Sequence, residues 1–247
     1  MVRGLQLFSA WFEKYTDQYI LIGGTAASLA MNAAGVEFRQ TKGLDIVIHV
    51  EVLKSEFIAT FWEFIEAGQY EIKLSGVHGK PCLYRFQKPA DDEFPYMIEL
   101  FARAPIGLEI AFGHKLTPLR TKDLVSSLSA ILLDDDYYKF ILENRVITGG
   151  LPVIAAVGLI PLKALAWLNL KESKEAGEQI DSRDIKKHLI DIENISRLLA
   201  PNFAIDISEK IIHDLSRFII ELKKLEDSGK NYSTLTTRLR VTYGLEK

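Results

Sequence analysis

Two glycines and a threonine, Gly23-Gly24-Thr25, directly follow the apolar, β-rich run Tyr19-Ile20-Leu21-Ile22. Glycines at the end of a strand let backbone N–H groups come close to a ligand, and a helix starting there adds a partial positive charge. Such a place suits a phosphate. Asp45 lies inside the next apolar run, Leu44 to Val50. A carboxylate on a neighbouring strand can hold the divalent metal that travels with a nucleoside triphosphate. Taken alone, a Gly-Gly pair after a strand reads more plainly as a tight turn.

The flanking pattern says what must position these residues. Thr25 is a good N-cap for the alanine-rich stretch through Ala34, and Gly35 is a good helix stop. Phe57, Phe61 and Ile65, with Trp62 beside them, recur at helical spacing within residues 52–66. From Tyr70 to Phe101 the pattern returns to short extended pieces, including Cys82 to Phe86 and Tyr96 to Phe101. After that the periodicity changes. Ile160 to Leu170 reads as a helix with Pro161 in its first turn, and Lys171 to Arg183 as an exposed connection. Ile185, Leu189, Ile192, Ile195 and Leu199 form an apolar helical stripe that Pro201 ends. Asp206 and Glu209 resemble a capping box ahead of Ile211, Leu215, Phe218, Leu222 and Leu225. The expected fold is α+β: a mixed β-sheet with flanking helices over 1–150, then a helical bundle over 151–247, with the boundary near Gly149-Gly150.

As a whole, the segment Tyr19 to Val50 resembles the opening motif of the polymerase-beta-like nucleotidyltransferase superfamily, and within it the AbiEii/AbiGii toxin-like branch. There a Gly-Gly-Thr-Ala turn is followed by an Arg-x-Thr element leading into an acidic strand. The matching residues are Gly23, Gly24, Thr25 and Ala26, then Arg39, Thr41 and Asp45. The resemblance implies a third carboxylate on a later strand, and Glu99 in Tyr96-Met97-Ile98-Glu99-Leu100 matches it; the plain alternative is an outward-facing strand residue. It also implies a Lys early in one helix of the helical half and an Asp in a later one, which Lys163 and Asp191 match. A Lys on an apolar helix can neutralise triphosphate charge as a point cation, and Asp191 could pair with it or position an acceptor. The bland alternative is a Lys that reaches out to solvent and an exposed Asp.

One position departs from the family pattern. Where its first Asp is expected, Lys42-Gly43-Leu44-Asp45 carries Gly43. Two metals held about 3.5–4 Å apart need several shared anionic ligands, and glycine supplies no side chain to either. The resemblance therefore implies an NTP substrate with Mg²⁺, bound by Gly23, Gly24, Thr25, Arg39, Thr41 and Lys163, with Asp45 and Glu99 as metal ligands. Transfer of a nucleoside monophosphate to a hydroxyl acceptor follows, an RNA 3′ end such as that of tRNA or a protein side chain, in a toxin–antitoxin setting with a cognate antitoxin as partner. The nucleotide cleft is expected between the two halves. Gly43 supports a rival reading, a degenerate member that binds nucleotide or a protein without turnover; a pure interaction scaffold is the third.

Composition sets outer bounds. The 247 residues are 48% hydrophobic and 26% charged, as in an ordinary globular protein. A formal net charge of -3 argues against a wholly basic, nucleic-acid-coating surface, though a local basic patch is compatible with it. The single cysteine, Cys82, excludes an internal disulfide framework and fits a reducing compartment. The first eighteen residues are too polar for a signal peptide, and Leu151 to Leu170 is broken by Pro152, Gly158, Pro161 and Lys163. A cytoplasmic protein with no membrane partner is the expectation. Asp134-Asp135-Asp136 reads as a solvated helix start rather than a metal site, since adjacent acids on a helix point apart. His78, His114 and His213 lack zinc spacing, and Cys82 reads as a buried strand residue.

Overall fold

The computed structural model describes residues 2–75, 82–102, 117–118, 131, 134–227 and 229–245. The chain forms two compact units, residues 1–125 with 141–155, and residues 126–140 with 156–247. His78 and His114 lie outside the described residues, as does the side chain of Cys82.

Unit 1 is built on a mixed sheet whose strands run β1 (Tyr19–Ile22), β2 (Gly43–Ile48), β3 (Glu71–Ser75), β4 (Cys82–Gln87), β5 (Met97–Ala102), β6 (Thr117–Pro118), β7 (Arg145–Thr148) and β8 (Leu151–Ile154). Their order across the sheet is β6-β3-β4-β5-β2-β1-β8-β7. The central strands β1 and β2 are antiparallel, and β2 runs parallel to β5, which is antiparallel to β4. Burial explains the sequence of these strands: every residue of β1 is buried, so it reads as an unbroken apolar run instead of an alternating one. Helices α1 (Leu5–Phe12), α2 (Gly23–Ala33) and α3 (Ser55–Ala67) belong to the same unit. Phe8 and Phe12 of α1 meet Tyr19 of β1 and Phe64 of α3 in edge contacts with ring centroids 5.5–6.1 Å apart. Such aromatic pairs add to the area they remove from water. Burial also raises the Tyr19 phenol well above its ordinary range, an effect that the Arg145 charge only partly offsets.

Gly149 and Gly150 close the β7–β8 hairpin. Their φ angles of 59° and 80° are those of a two-residue turn that demands left-handed backbone at both positions. The continuous helical part of unit 2 takes up at Ala156.

Unit 2 is helical, with α4 (Asp135–Glu143) straddling the division and α5 (Ala156–Glu175), α6 (Ser182–Ser196), α7 (Glu209–Glu226) and α8 (Ser233–Tyr243) lying within it. Helix α5 is buried almost all round from Val157 to Leu168 and packs against α6 and α7. Three sequence expectations are corrected here. Pro161 sits in the second turn of α5, not the first. A proline there has no N–H for the carbonyl four residues back, that of Val157. The buried Tyr243 hydroxyl donates to this carbonyl at 2.6 Å, so a tertiary bond replaces the lost helical one. The same helix continues to Glu175, taking up the first part of the stretch read as a connection. Lastly, Ser208 rather than Asp206 caps α7, its hydroxyl accepting from the Ile211 amide at 3.4 Å. The acidic run behaves as expected: Asp134 accepts from the amides of Asp136 and Tyr137 at 3.0 and 3.3 Å, as a helix-start residue does.

Candidate functional site

The Gly-Gly-Thr turn opens α2 immediately after β1, and its structural task is visible from what surrounds it. Gly23 has φ 64°, a left-handed conformation that side chains resist, and a Cβ there would overlap the Asp45 carboxylate. A Cβ on Gly24 would meet Thr41 Oγ1 at 2.6 Å and lie 3.8 Å from Nη2 of Arg39. The two glycines therefore make room for Asp45, Thr41 and the Arg39 guanidinium. These five of the seven motif residues converge at one corner of unit 1.

Thr25 departs from its expected task. The helix starts at Gly23 with no side-chain cap, and Thr25 is fully buried. Its hydroxyl donates to the Gly43 carbonyl at 2.8 Å, tying the first turn of α2 to the start of β2. That bond links the turn to the acidic strand, which a local capping argument could not show. Arg39 is exposed, its guanidinium 5.5 Å from the Phe38 ring centroid.

Asp45 and Glu99 stand side by side. They are register partners on the adjacent parallel strands β2 and β5, so both side chains project from the same face about one strand spacing apart, roughly 4.8 Å. Asp45 is half-buried and Glu99 is buried. The register brings a third group into the row. Arg85 of β4 is the partner of Glu99 across the antiparallel ladder. Its Nε and Nη2 both donate to Oε1 of Glu99, at 2.8 and 2.6 Å. The Arg85 and Glu99 side chains are 20% and 10% exposed, which puts the pair among interactions that water screens only in part. Sequence reading missed Arg85. Its signal was a lone charge in Leu83-Tyr84-Arg85-Phe86, matched by a lone opposite charge in Met97-Ile98-Glu99-Leu100.

Asp45 and Glu99 are the two carboxylates at this corner that could contribute to holding a single Mg²⁺ ion. Magnesium is commonly held by one or two carboxylates together with phosphate oxygens and water, which Asp45 and Glu99 satisfy. Gly43 adds no ligand, and among the described residues no group of three or more His, Cys, Asp or Glu side chains could hold a metal. Gly43 is also hemmed in: a Cβ on it would lie 2.8 Å from the Met97 carbonyl oxygen.

Lys163 and Asp191 meet in unit 2. Lys163 Nζ donates to Asp191 Oδ2 at 2.7 Å, with side-chain exposures of 5% and 0%. The reading of Lys163 as a solvent-reaching residue and of Asp191 as an exposed acid is thereby overturned. A fully desolvated cation and anion hold each other, as a buried charge requires. A second buried acid of this unit, Asp214, accepts from the Tyr137 hydroxyl at 3.2 Å and pairs with Lys210 and Arg217. Burial, and then the Asp214 charge, push the Tyr137 phenol far above its ordinary range. No helix among the described residues is long and apolar enough to cross a membrane. Comparison with models of protein families, with curated proteins and with solved structures finds no match to this chain.

Proposed function

We propose that this chain is a nucleotidyltransferase-type protein that binds an NTP with one Mg²⁺ at the Gly23–Gly24 corner of unit 1 and transfers a nucleoside monophosphate to a hydroxyl acceptor. The in-register placement of Asp45 and Glu99 beside the glycine turn carries the reading. An ion bound at about 2.0–2.1 Å from each oxygen reaches both carboxylates across one strand spacing. The exposed Arg39 supplies a guanidinium at the same corner for phosphate oxygens. By resemblance the acceptor is an RNA 3′ end, such as that of tRNA, or a protein side chain, and an antitoxin is the protein partner.

A second reading, nucleotide binding without turnover, is favoured by two specific observations. Gly43 offers no ligand for a second ion, and Arg85 already takes Oε1 of Glu99. Calorimetric titration with each Mg–NTP, followed by transfer of labelled NMP to bulk tRNA and to the protein itself, separates the two. Binding with turnover supports the transferase; binding alone supports the degenerate form. No binding of any NTP in the presence of Mg²⁺ ends both.

A further inference from the structure

We infer that the outer edge of β7 is a homodimer contact, on which a second copy of this chain lays its own β7 antiparallel. The inference stands apart from the nucleotide reading. β7 ends the sheet, and among the described residues no strand lies beyond it. The phase of the β7–β8 hairpin says which groups the open side presents. A two-residue turn is closed by a pair that exchanges both backbone bonds, here Thr148 and Leu151, and the pattern then alternates along the ladder. Val146 with Val153 repeats that arrangement, and the Ala155 amide donating to the Asn144 carbonyl at 2.8 Å continues it. Arg145 and Ile147 fall at the alternate positions, opposite Ile154 and Pro152. Their N–H and C=O groups therefore point away from β8, and no backbone partner among the described residues meets them.

An open edge is ordinarily blunted by a lysine, a proline or a bulge. β7 carries none of these. Its residues are Arg145-Val146-Ile147-Thr148, in unbroken register with β8. Its one charge is drawn off the edge by a bond from Arg145 Nη2 to the Thr16 carbonyl at 2.6 Å. Val146 and Ile147 are 42% and 54% exposed and, being consecutive, leave both faces of the rim apolar. A twofold contact sets these residues against themselves. Because the outward groups belong to alternate residues, the axis must pass a residue and not the gap between two. Centred on Arg145, it opposes two guanidinium-bearing residues; centred on Ile147, it runs Arg145 onto the Gly149 turn of the other copy. Centred on Val146, valine meets valine and each Ile147 lies beside the apolar stem of the other copy's Arg145, with no like charges opposed. The outward groups of Arg145 and Ile147 are then all paired between the copies. A net charge of only -3 per chain adds little repulsion. This self-match commits the edge to a second copy. Four residues a side are well short of the roughly 20–30 of a stable interface, so the dimer forms at high concentration.

The test joins sedimentation velocity of the full chain with cysteine pairing. The average mass should climb from one chain toward two between about 10 μM and about 1 mM, the range of weak contacts. Ile147→Lys puts a charge on the edge and should weaken association at least tenfold without lowering the Tm, since that side chain is exposed. Cysteine pairing reads the register, in a Cys82→Ser background that removes the chain's single native thiol. With the axis at Val146, its two Cα atoms lie about 4.5 Å apart, within disulfide reach, and the two Ile147 Cα atoms lie roughly 8 Å apart, beyond it. Val146→Cys should therefore form a covalent dimer under mild oxidant at least tenfold faster than Ile147→Cys. Should Cys82→Ser fail to fold, the comparison is made with Cys82 retained and the crosslinked residues identified by mass spectrometry. A chain that stays single at about 1 mM overturns the inference and leaves the edge to a strand of other origin. A dimer indifferent to Ile147→Lys overturns it too, as does Ile147→Cys crosslinking as fast as Val146→Cys.

Discussion

Replacing Gly43 with aspartate would restore the carboxylate that the nucleotidyltransferase resemblance lacks, yet the structure sets a cost against it. Gly43 begins β2 opposite Met97 of β5, and its φ lies outside the left-handed region, so backbone conformation is no obstacle. Space is the obstacle. A Cβ would lie 2.8 Å from the Met97 carbonyl oxygen and 3.1 Å from the Met97 Cε. The methyl end can swing away, but the carbonyl belongs to the strand that carries Glu99, two residues on, and can yield only by moving that strand. Overpacking of this kind costs about 1–3 kcal/mol. For a chain of this size that is a fall in Tm of roughly 2–12 °C.

Gly43→Ala is the control that separates packing from chemistry, because it adds the same Cβ without the carboxylate. Both variants should lose similar stability in thermal or urea unfolding. Any gain in function belongs to the difference between them. If transfer is limited by the missing ligand, Gly43→Asp should exceed Gly43→Ala in NMP transfer at least tenfold, about 1.4 kcal/mol of barrier, when rates are corrected for the folded fraction. A Gly43→Ala protein as stable as the wild type would refute the packing argument. Wild-type transfer at an ordinary enzymatic rate, with Gly43→Asp no faster than Gly43→Ala, would refute the view that the absent carboxylate limits the chemistry.

Other substitutions probe single interactions. Asp45→Asn should weaken Mg²⁺-dependent NTP binding at least tenfold in calorimetry, and unchanged affinity would remove Asp45 from the ligand set. Lys163→Met leaves Asp191 buried without its lysine and should cost about 3–5 kcal/mol of unfolding free energy, most of it recovered in the Lys163→Met/Asp191→Leu double variant; a double variant no better than the single would count against the pair. Tyr243→Phe strands the Val157 carbonyl inside α5 and should cost about 1–3 kcal/mol, read by urea unfolding. Glu221 is held below its ordinary value of 4.5, chiefly by its bonds to Lys171 and then Lys224. A depressed carboxylate stabilises the fold above its unfolded value and loses that contribution as pH falls through its folded one. The stability gap between wild type and Glu221→Gln should therefore be present at pH 7 and close below about 4.5.

What the sequence made legible follows the range of the interactions that fix each feature. Strand β1 and helix α3 were readable because their apolar patterns are local: an unbroken run in one, Phe57, Phe61 and Ile65 at helical spacing in the other. Thr25 was misread because its partner, the Gly43 carbonyl, reaches it only once β1 and β2 pair. Pro161 was misplaced because the bond that makes a second-turn proline tolerable comes from Tyr243, at the far end of the unit's chain. The candidate site shows the same limit in a form that bears on chemistry. Asp45 and Glu99 could be picked out singly, but their being neighbours depends on β5 lying beside β2, and strand order has no local signature. The ladder that aligns them also fixes Arg85 against Glu99, because β4 occupies the other side of β5. A tally of carboxylates along the chain therefore counts anions that the folded sheet has already partly neutralised. Which charges stand together at this corner is set by the order β4-β5-β2, and no local stretch of the chain announces that order.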